Sequence, residues 1–352
     1  MSNTFGHILK ITTWGESHGA AIGAVMDGLP PNIELDVLKD IQPFMDMRRP
    51  GGSSYVTKRQ ETDKVEILSG VFESKTLGTP LSLIIYNQDQ QSKDYRELKD
   101  VYRPGHADYV YHKKYGHVDY RGGGRASARE TAMRVACGAV ARKIIPFISF
   151  STQITEIGGM EASLVSEGEI DQVFRTKDVQ AALKWQNFIE ELRISGDSVG
   201  GVVEIRASGI PVGLGSPIFD KLDAEIAKGM MSIPAVKAVE IGAGISCAQS
   251  YGSLNNDQMS NGDDLFLSNN SGGIVGGIST GQDIIVRVYF KPTSSIKVTQ
   301  ESINYNQDQV RINIKGRHDP CVALRGWIVA ESMLAIILTD YYLWDQILTR
   351  YR

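Results

Sequence analysis

The segment Asp283–Phe290, DIIVRVYF, sets Ile284, Val286, Val288 and Phe290 on one side of an extended chain and the residues between them on the other. Side chains alternate along a β-strand, so this pattern demands a sheet with one face packed on a core. GHILKITTW and VGGVVEIRASGI carry the same signal less strictly. Helical spacing dominates elsewhere. From Ser127, SARE reads as a capping box in which the Ser side chain takes one free N–H and Glu130 reaches back to another. Met133, Ala136, Cys137, Val140 and Ile144 then recur at helical intervals until Pro146. Asp319 as N-cap and Pro320 at the first helical position predict a second long helix through VALRGWIVAESMLAIILTDYY. Shorter helices are expected in DVLKDIQPFM, where Pro43 limits regularity, and in SPIFDKLDAEIAKGMM. The stretch from Ser151 to Ile194 reads as an ordinary exposed helix-and-loop region. These strands and helices do not alternate in βαβ order, which predicts a mixed, largely antiparallel α+β architecture.

The 352 residues, 42% of them hydrophobic, suffice for one large domain or two smaller ones, and no clean boundary or fixed-period repeat divides them. A net charge of -4 argues against a surface built to attract nucleic acid or anionic membrane, so any anion binding must be local. Cys137, Cys247 and Cys321 are odd in number and unpaired in spacing; they signal neither a disulfide framework nor a thiolate metal site, and a reducing cytoplasm fits them best. The N-terminus lacks a basic region followed by an apolar run, and Glu331 interrupts GWIVAESMLAIIL, so the chain reads as neither exported nor membrane-spanning.

Charge does concentrate in RPGHADYVYHKKYGHVDYRGGGRASARET, residues 103–131. Between Arg103 and Lys143 nine Lys and Arg face three Asp and Glu, a net of +6 within an acidic chain. Gly122, Gly123 and Gly124 let backbone approach a ligand, and a helix start behind them offers unpaired N–H groups. Arg103, Arg121, Arg125 and Arg129 supply guanidinium forks for carboxylate or phosphate. His106, His112 and His117 are candidate acid–base groups, but their spacing does not suit a metal. In TTWGESHGAAIG, neighbours Ser17 and His18 would face opposite sides of a strand, so a hydrolase dyad is not expected and His18 reads as a proton donor. Arg48 and Arg49 precede a Pro-Gly-Gly turn as a clamp, Lys291–Ser295 end a strand in hydroxyls, and Arg317, His318 and Asp319 lie at a helix start. Each has a plain reading as a turn, a cap or a solvated charge. With neither a Walker loop nor a GxGxxG after a strand, the residues alone reach an enzyme with histidine acid–base chemistry and a small polyanionic substrate. An RNA- or phospholigand-binding module and a phosphoryl transferase are the rivals. The first conflicts with the acidic total, and the second lacks a nucleotide loop and a Mg²⁺ carboxylate set.

GESHGAAIGAVMDGLP, RPGHADYVYHKKYGHVDYRGGGRASARETAMRVACGAV and GRHDPCVALRGWIVAESM resemble, in order and spacing, the three signature regions of the chorismate synthase family. TKRQETDKVEILSGVF, SIPAVKAVEIGAG, NNSGGIVGGISTGQ and KPTSSI extend the resemblance over nearly the whole chain. It implies one α+β domain spanning residues 1–352, with helices sandwiched between mainly antiparallel sheets, assembled as a homotetramer. It implies conversion of 5-enolpyruvylshikimate-3-phosphate to chorismate and phosphate by 1,4-anti elimination, with reduced FMN required. By matching positions, His18 resembles the histidine that protonates the leaving phosphate, and His106 the one that governs flavin protonation. Asp319 resembles the acid that assists removal of the hydrogen at carbon 6. Arg48, Arg103, Ser127, Arg129 and Arg317 match substrate-facing positions. Arg125, Ala126, Ser127, Lys237, Ala238, Gly276, Lys291, Pro292, Thr293, Ser294, Ser295 and Arg317 match flavin-contacting ones. His112 and His117 are expected to be structural or peripheral. The chain departs from the family at Ser54, where many members have Arg and where Lys58 or Arg59 could substitute, and at Val118, Ser74 and Leu77. The missing dinucleotide fingerprint favours an external flavin reductase over reduction by NADPH on this chain.

Overall fold

Alternation along the strands is resolved into two antiparallel sheets in the computed structural model, which describes residues 3–49, 63–87, 98–163, 168–262, 265–314 and 319–349. Arg317, His318, Ser54, Lys58, Arg59 and the Pro-Gly-Gly turn after Arg49 lie outside the described residues. The first sheet uses β1 (Thr4–Phe5), β2 (Lys10–Trp14), β3 (Ala21–Asp27), β4 (Glu66–Ser69) and, beyond the hairpin of β5 (Val71–Phe72) and β6 (Lys75–Thr76), β7 (Leu81–Tyr86). Its order is β1-β2-β3-β7-β4. The second sheet draws on β8 (Ser149–Ile157), β9 (Met160–Glu161), β10 (Gly201–Ser208) and β11 (Val236–Ile241). After the two-residue strands β12 (Ile274–Val275) and β13 (Ile278–Ser279), β14 (Ile284–Phe290) completes it in the order β11-β14-β10-β8-β9. A last hairpin pairs β15 (Gln300–Ile303) with β16 (Gln309–Ile312). In β14 the predicted face is the buried one: Ile284, Val286, Val288 and Phe290 are all buried.

The helices are α1 (Gln42–Arg48), α2 (Asp108–Tyr115), α3 (Thr131–Arg142), α4 (Val179–Ser195), α5 (Leu222–Met231), the single turn α6 (Gly252–Asn255) and α7 (Ala323–Thr349). Between the sheets α3 packs against the first and α7 against the second, and the two helices pack on each other. The fold is thus α+β, with helices sandwiched between antiparallel sheets. At Gly138 an added Cβ would lie 2.5 Å from Ser332 Cβ and 2.8 Å from Ser332 Cα, so the α3–α7 contact is made almost backbone to backbone. By length and composition the Ala323–Leu348 segment could cross a membrane, but 89% of its most apolar window is buried inside the fold. Glu331 interrupts that run because it is paired: Arg142 Nη2 donates to its Oε1 at 2.7 Å, and the Thr152 hydroxyl donates to its Oε2. A buried carboxylate is tolerated only with such partners.

Several local expectations are corrected. Ser127 Oγ accepts from Arg129 N at 3.3 Å, but Glu130 does not reach back; its Oε1 accepts from the Thr13 hydroxyl at 2.9 Å and its Oε2 from Arg134 Nε at 2.9 Å. The capping box therefore dissolves into a 3₁₀ turn, Ala128–Glu130, and α3 ends at Arg142, ahead of Pro146. The last helix begins at Ala323 rather than at Pro320, because Asp319 Oδ2 accepts from Arg325 Nη1 at 2.8 Å and Gly326 N donates to Val322 O. In the earlier expected helix, Asp36 caps a π-helical turn, Val37–Ile41, and α1 follows with Pro43 in its first turn. SPIFDK is not helical; α5 starts at Leu222. Residues 151–194 are not merely surface: β8 is an inner strand of the second sheet, and Trp185 of α4 is fully buried.

Candidate active site

One cavity of about 540 Å³ opens where the Arg103–Ala107 segment, the Gly123–Thr131 turn, the end of β14 and the first turns of α3 and α7 meet. That size lies within the roughly 300–1,000 Å³ usual for small-molecule sites. Two helix N-termini border it, so their dipoles favour a bound anion. The β14 turn is fixed from both sides: Lys291 Nζ and Ser294 Oγ donate to Gly105 O at 2.7 and 2.8 Å, and Thr293 Oγ1 donates to Asp319 O at 2.7 Å.

Behind the wall lies Asp63, which ties Arg48 and Arg129 of the wall into a buried charge knot. Asp63 is fully enclosed; Arg48 Nη1 donates to its Oδ2 at 2.8 Å and Arg129 Nη1 to its Oδ1. Arg48 also donates from Nε to Thr131 Oγ1 at 3.2 Å and from Nη2 to Ala128 O at 3.0 Å, while Arg129 Nε donates to Asn87 Oδ1 at 3.0 Å. Burial opposes the charge on Asp63, but Arg48 and Arg129 outweigh it and hold the carboxyl below its ordinary range. Burial, helped by the nearby Arg325 and Arg129 charges and opposed by Asp63, brings Arg48 down to about 10, still protonated at neutral pH. Arg325 Nε donates to Arg48 O at 3.0 Å, so the guanidinium that holds Asp319 is locked to the same knot.

A second cluster surrounds His106. Asp108 Oδ2 accepts from Arg103 N and Nε at 3.1 and 2.7 Å, and its Oδ1 accepts from Arg103 Nη2 at 2.7 Å. His106 Nδ1 stands 2.7 Å from the same Oδ1. Burial resists ionisation of Asp108, yet the hydrogen bonds from Arg103 and His106 prevail and hold it far below the usual carboxylate range.

The cavity brings together most of the residues singled out from the sequence: Arg48, Arg103, His106, Arg125, Ala126, Ser127, Arg129, Asp319 and all of Lys291, Pro292, Thr293, Ser294 and Ser295. The Arg125 guanidinium is turned towards β2, donating to Gly15 O at 3.2 Å and Thr13 Oγ1 at 2.7 Å. His18 is buried but does not line the cavity; Gly122, with φ +84°, lies so close that an added Cβ would be 2.3 Å from His18 Nδ1. Contrary to the strand argument, Ser17 and His18 do meet, Ser17 Oγ lying 3.1 Å from His18 Nδ1, because they sit in the turn between β2 and β3. Lys237, Ala238 and Gly276 are exposed and absent from the wall. Arg49 and Arg121 are exposed as well, Arg121 being spent on Asp119 at 2.7 Å. His112 stacks on Tyr305 at 4.1 Å and its Nδ1 is 2.6 Å from Tyr102 OH, which ties α2 to the β15–β16 hairpin, while His117 is exposed.

The sequence profile of the chorismate synthase family matches residues 9–343. The chain belongs to the chorismate synthase family. It is 53% identical over 351 residues to the chorismate synthase of Paramagnetospirillum magneticum, covering 97% of each chain. It is 53% identical over 343 residues to that of Novosphingobium aromaticivorans, covering 96% of each. A crystal structure of chorismate synthase superposes with a TM-score of 0.74 at 31% identity, over 97% of this chain and 93% of that one. The chain is accordingly a carbon–oxygen lyase of aromatic amino acid biosynthesis. Within this chorismate synthase fold, the residues that sequence reasoning missed are Asp63, Asp108, Arg134 and Arg325. Arg325, six residues after Asp319, and Asp108, two after His106, lay inside recognised motifs. Arg134 sits one helical turn after Glu130, at salt-bridge spacing. Asp63 lay inside TKRQETDKVEILSGVF, but fifteen residues from Arg48 nothing in its spacing signalled the pairing.

Proposed function

We propose that this cavity converts 5-enolpyruvylshikimate-3-phosphate to chorismate and inorganic phosphate by 1,4-anti elimination, with reduced FMN as its cofactor. The observation that carries the reading is charge. Among the described residues, seven cations line the cavity: Arg48, Arg103, Arg125, Arg129, Arg134, Lys291 and Arg325. They face Glu130 and Asp319 on the wall and Asp63 and Asp108 bonded directly behind it, a net of +3. A substrate with one phosphate and two carboxylates suits such a site, and guanidinium groups stabilise the departing phosphate as its charge develops.

The flavin suits the same walls. Ile233, Pro234, Ala235, Val322 and Val329 offer apolar surface to a flat ring, and Lys291, Thr293, Ser294 and Ser295 offer an ammonium and hydroxyls to a phosphate tail. Reduced FMN, when bound, supplies the electron density that assists loss of phosphate. Arg103, Arg129, Ser127 and Arg48 hold the substrate's anionic groups, with Arg317 added by the resemblance. Asp319, oriented by Arg325, assists removal of the hydrogen at carbon 6, and His106 holds or accepts a proton at Nε2. The role of His18 in protonating the departing phosphate, and flavin contacts at Lys237, Ala238 and Gly276, rest on the resemblance alone. So does the homotetramer, while the cytoplasmic setting is supported by the unpaired cysteines and an external flavin reductase in place of NADPH by the missing dinucleotide fingerprint.

The test is an anaerobic assay of the purified protein with this substrate and chemically reduced FMN. Chorismate should form with reduced flavin and not with oxidised flavin; no chorismate under reduced conditions overturns the reading.

A further inference from the structure

Arg103, His106 and Asp108 are brought together by the Pro104–Gly105 turn and the first turn of α2, which starts at Asp108. Three of the four hydrogen bonds to the Asp108 carboxylate come from Arg103, and the fourth contact is His106 Nδ1 at 2.7 Å from Oδ1. An ionised carboxylate only accepts hydrogen bonds, so the imidazole nitrogen facing it must carry the proton in both the neutral and the cationic ring. In the neutral ring Nε2 is then bare. The backbone beside the ring is also fixed, since Gly105 O accepts from Lys291 Nζ and Ser294 Oγ. Arg103 is tied into the same unit, its Nη2 donating both to Asp108 Oδ1 and to Gly122 O at 3.0 Å.

We propose that Asp108 is a positioning residue that locks His106 in the Nδ1–H form, leaving Nε2 as its proton-exchanging atom, and that the same carboxylate couples the orientation of His106 to that of Arg103. The proposal deepens the reading of this cavity as a chorismate synthase site, and rests on it for the use made of Nε2. A carboxylate behind a working histidine is a recurrent solution to the tautomer problem, because it selects one nitrogen for chemistry without itself taking the proton.

The test is a ¹⁵N spectrum of the full-length protein labelled at histidine, assigned with His106→Gln and recorded where the ring is neutral. Nδ1 should show as the protonated nitrogen and Nε2 as the bare one; a bare Nδ1 overturns the proposal. This spectrum needs no change at Asp108. In Asp108→Asn the Nδ1–H form should lose its dominance, and kcat should fall by at least about tenfold, below the roughly 10²–10⁴-fold that general acid–base catalysis contributes. Asp108→Glu should recover part of both. An Asn variant that keeps the Nδ1–H form and a kcat within about twofold of the parent sinks the proposal. Absence of chorismate synthesis in the parent protein would remove the functional reading while the nitrogen assignment still decides the tautomer.

Discussion

Changing Asp63 to Asn removes the single negative charge between two buried guanidinium groups while keeping nearly the same shape. Its side chain is wholly enclosed, and those of Arg48 and Arg129 are each 3% exposed, so water cannot take over the lost contacts. Removing one partner of a buried ion pair costs about 3–5 kcal/mol, mostly the penalty of leaving the other charge uncompensated. Asp63 serves two arginines, so the upper part of that range is expected, a large share of the roughly 5–15 kcal/mol that holds an ordinary domain together. Urea unfolding monitored by Trp fluorescence measures it as a lower midpoint at unchanged slope. The pH dependence supplies a second check. Because the folded pKa of Asp63 lies below its ordinary value of 3.8, its contribution is fully present above about pH 4 and is lost as pH falls through the depressed value. The gap between the parent and Asp63→Asn should therefore be constant near neutrality and close on acidification. A neutral-pH loss under about 1 kcal/mol would refute the claim that one carboxylate gathers these arginines.

Two glycines test the packing on which the site depends. Gly138→Ala drives a methyl against Ser332 Cα and O, each 2.8 Å from the added Cβ, so trimming the serine side chain cannot relieve it. Unfolding should show a loss of about 1–3 kcal/mol that Ser332→Ala does not restore. Gly122→Ala meets both a left-handed backbone and His18 Nδ1 at 2.3 Å, so stability should fall by about 1–3 kcal/mol and His18 should shift in a crystal structure of the variant.

The sheets were more legible than the helix ends. Ile284, Val286, Val288 and Phe290 announce β14 because a strand's period is short and one buried face suffices to reveal it. The helix starts misled because capping residues found other partners: Glu130 turned to Thr13, far away in sequence, and to Arg134 one turn on, and Asp319 to Arg325. A local motif cannot know that a tertiary partner will compete for its side chain. The same holds for residues 151–194, whose composition hides β8 and the buried Trp185. At the site, Arg103, His106, Arg129 and the Lys291–Ser295 turn were visible as charge and hydroxyl clusters between glycines. Asp63 was not, since a carboxylate that neutralises arginines from another element leaves no periodicity to read.

In the proposed reaction one cavity removes phosphate and a ring hydrogen from the same molecule. An anaerobic single-turnover experiment with reduced FMN, quenched at intervals and assayed for both phosphate and chorismate, measures this directly. One phosphate should appear per chorismate, at equal rates, with both slowed on the order of 10²–10⁴-fold in His106→Ala. Phosphate released without chorismate would make the cavity a phosphatase and contradict its assignment as a chorismate-forming site.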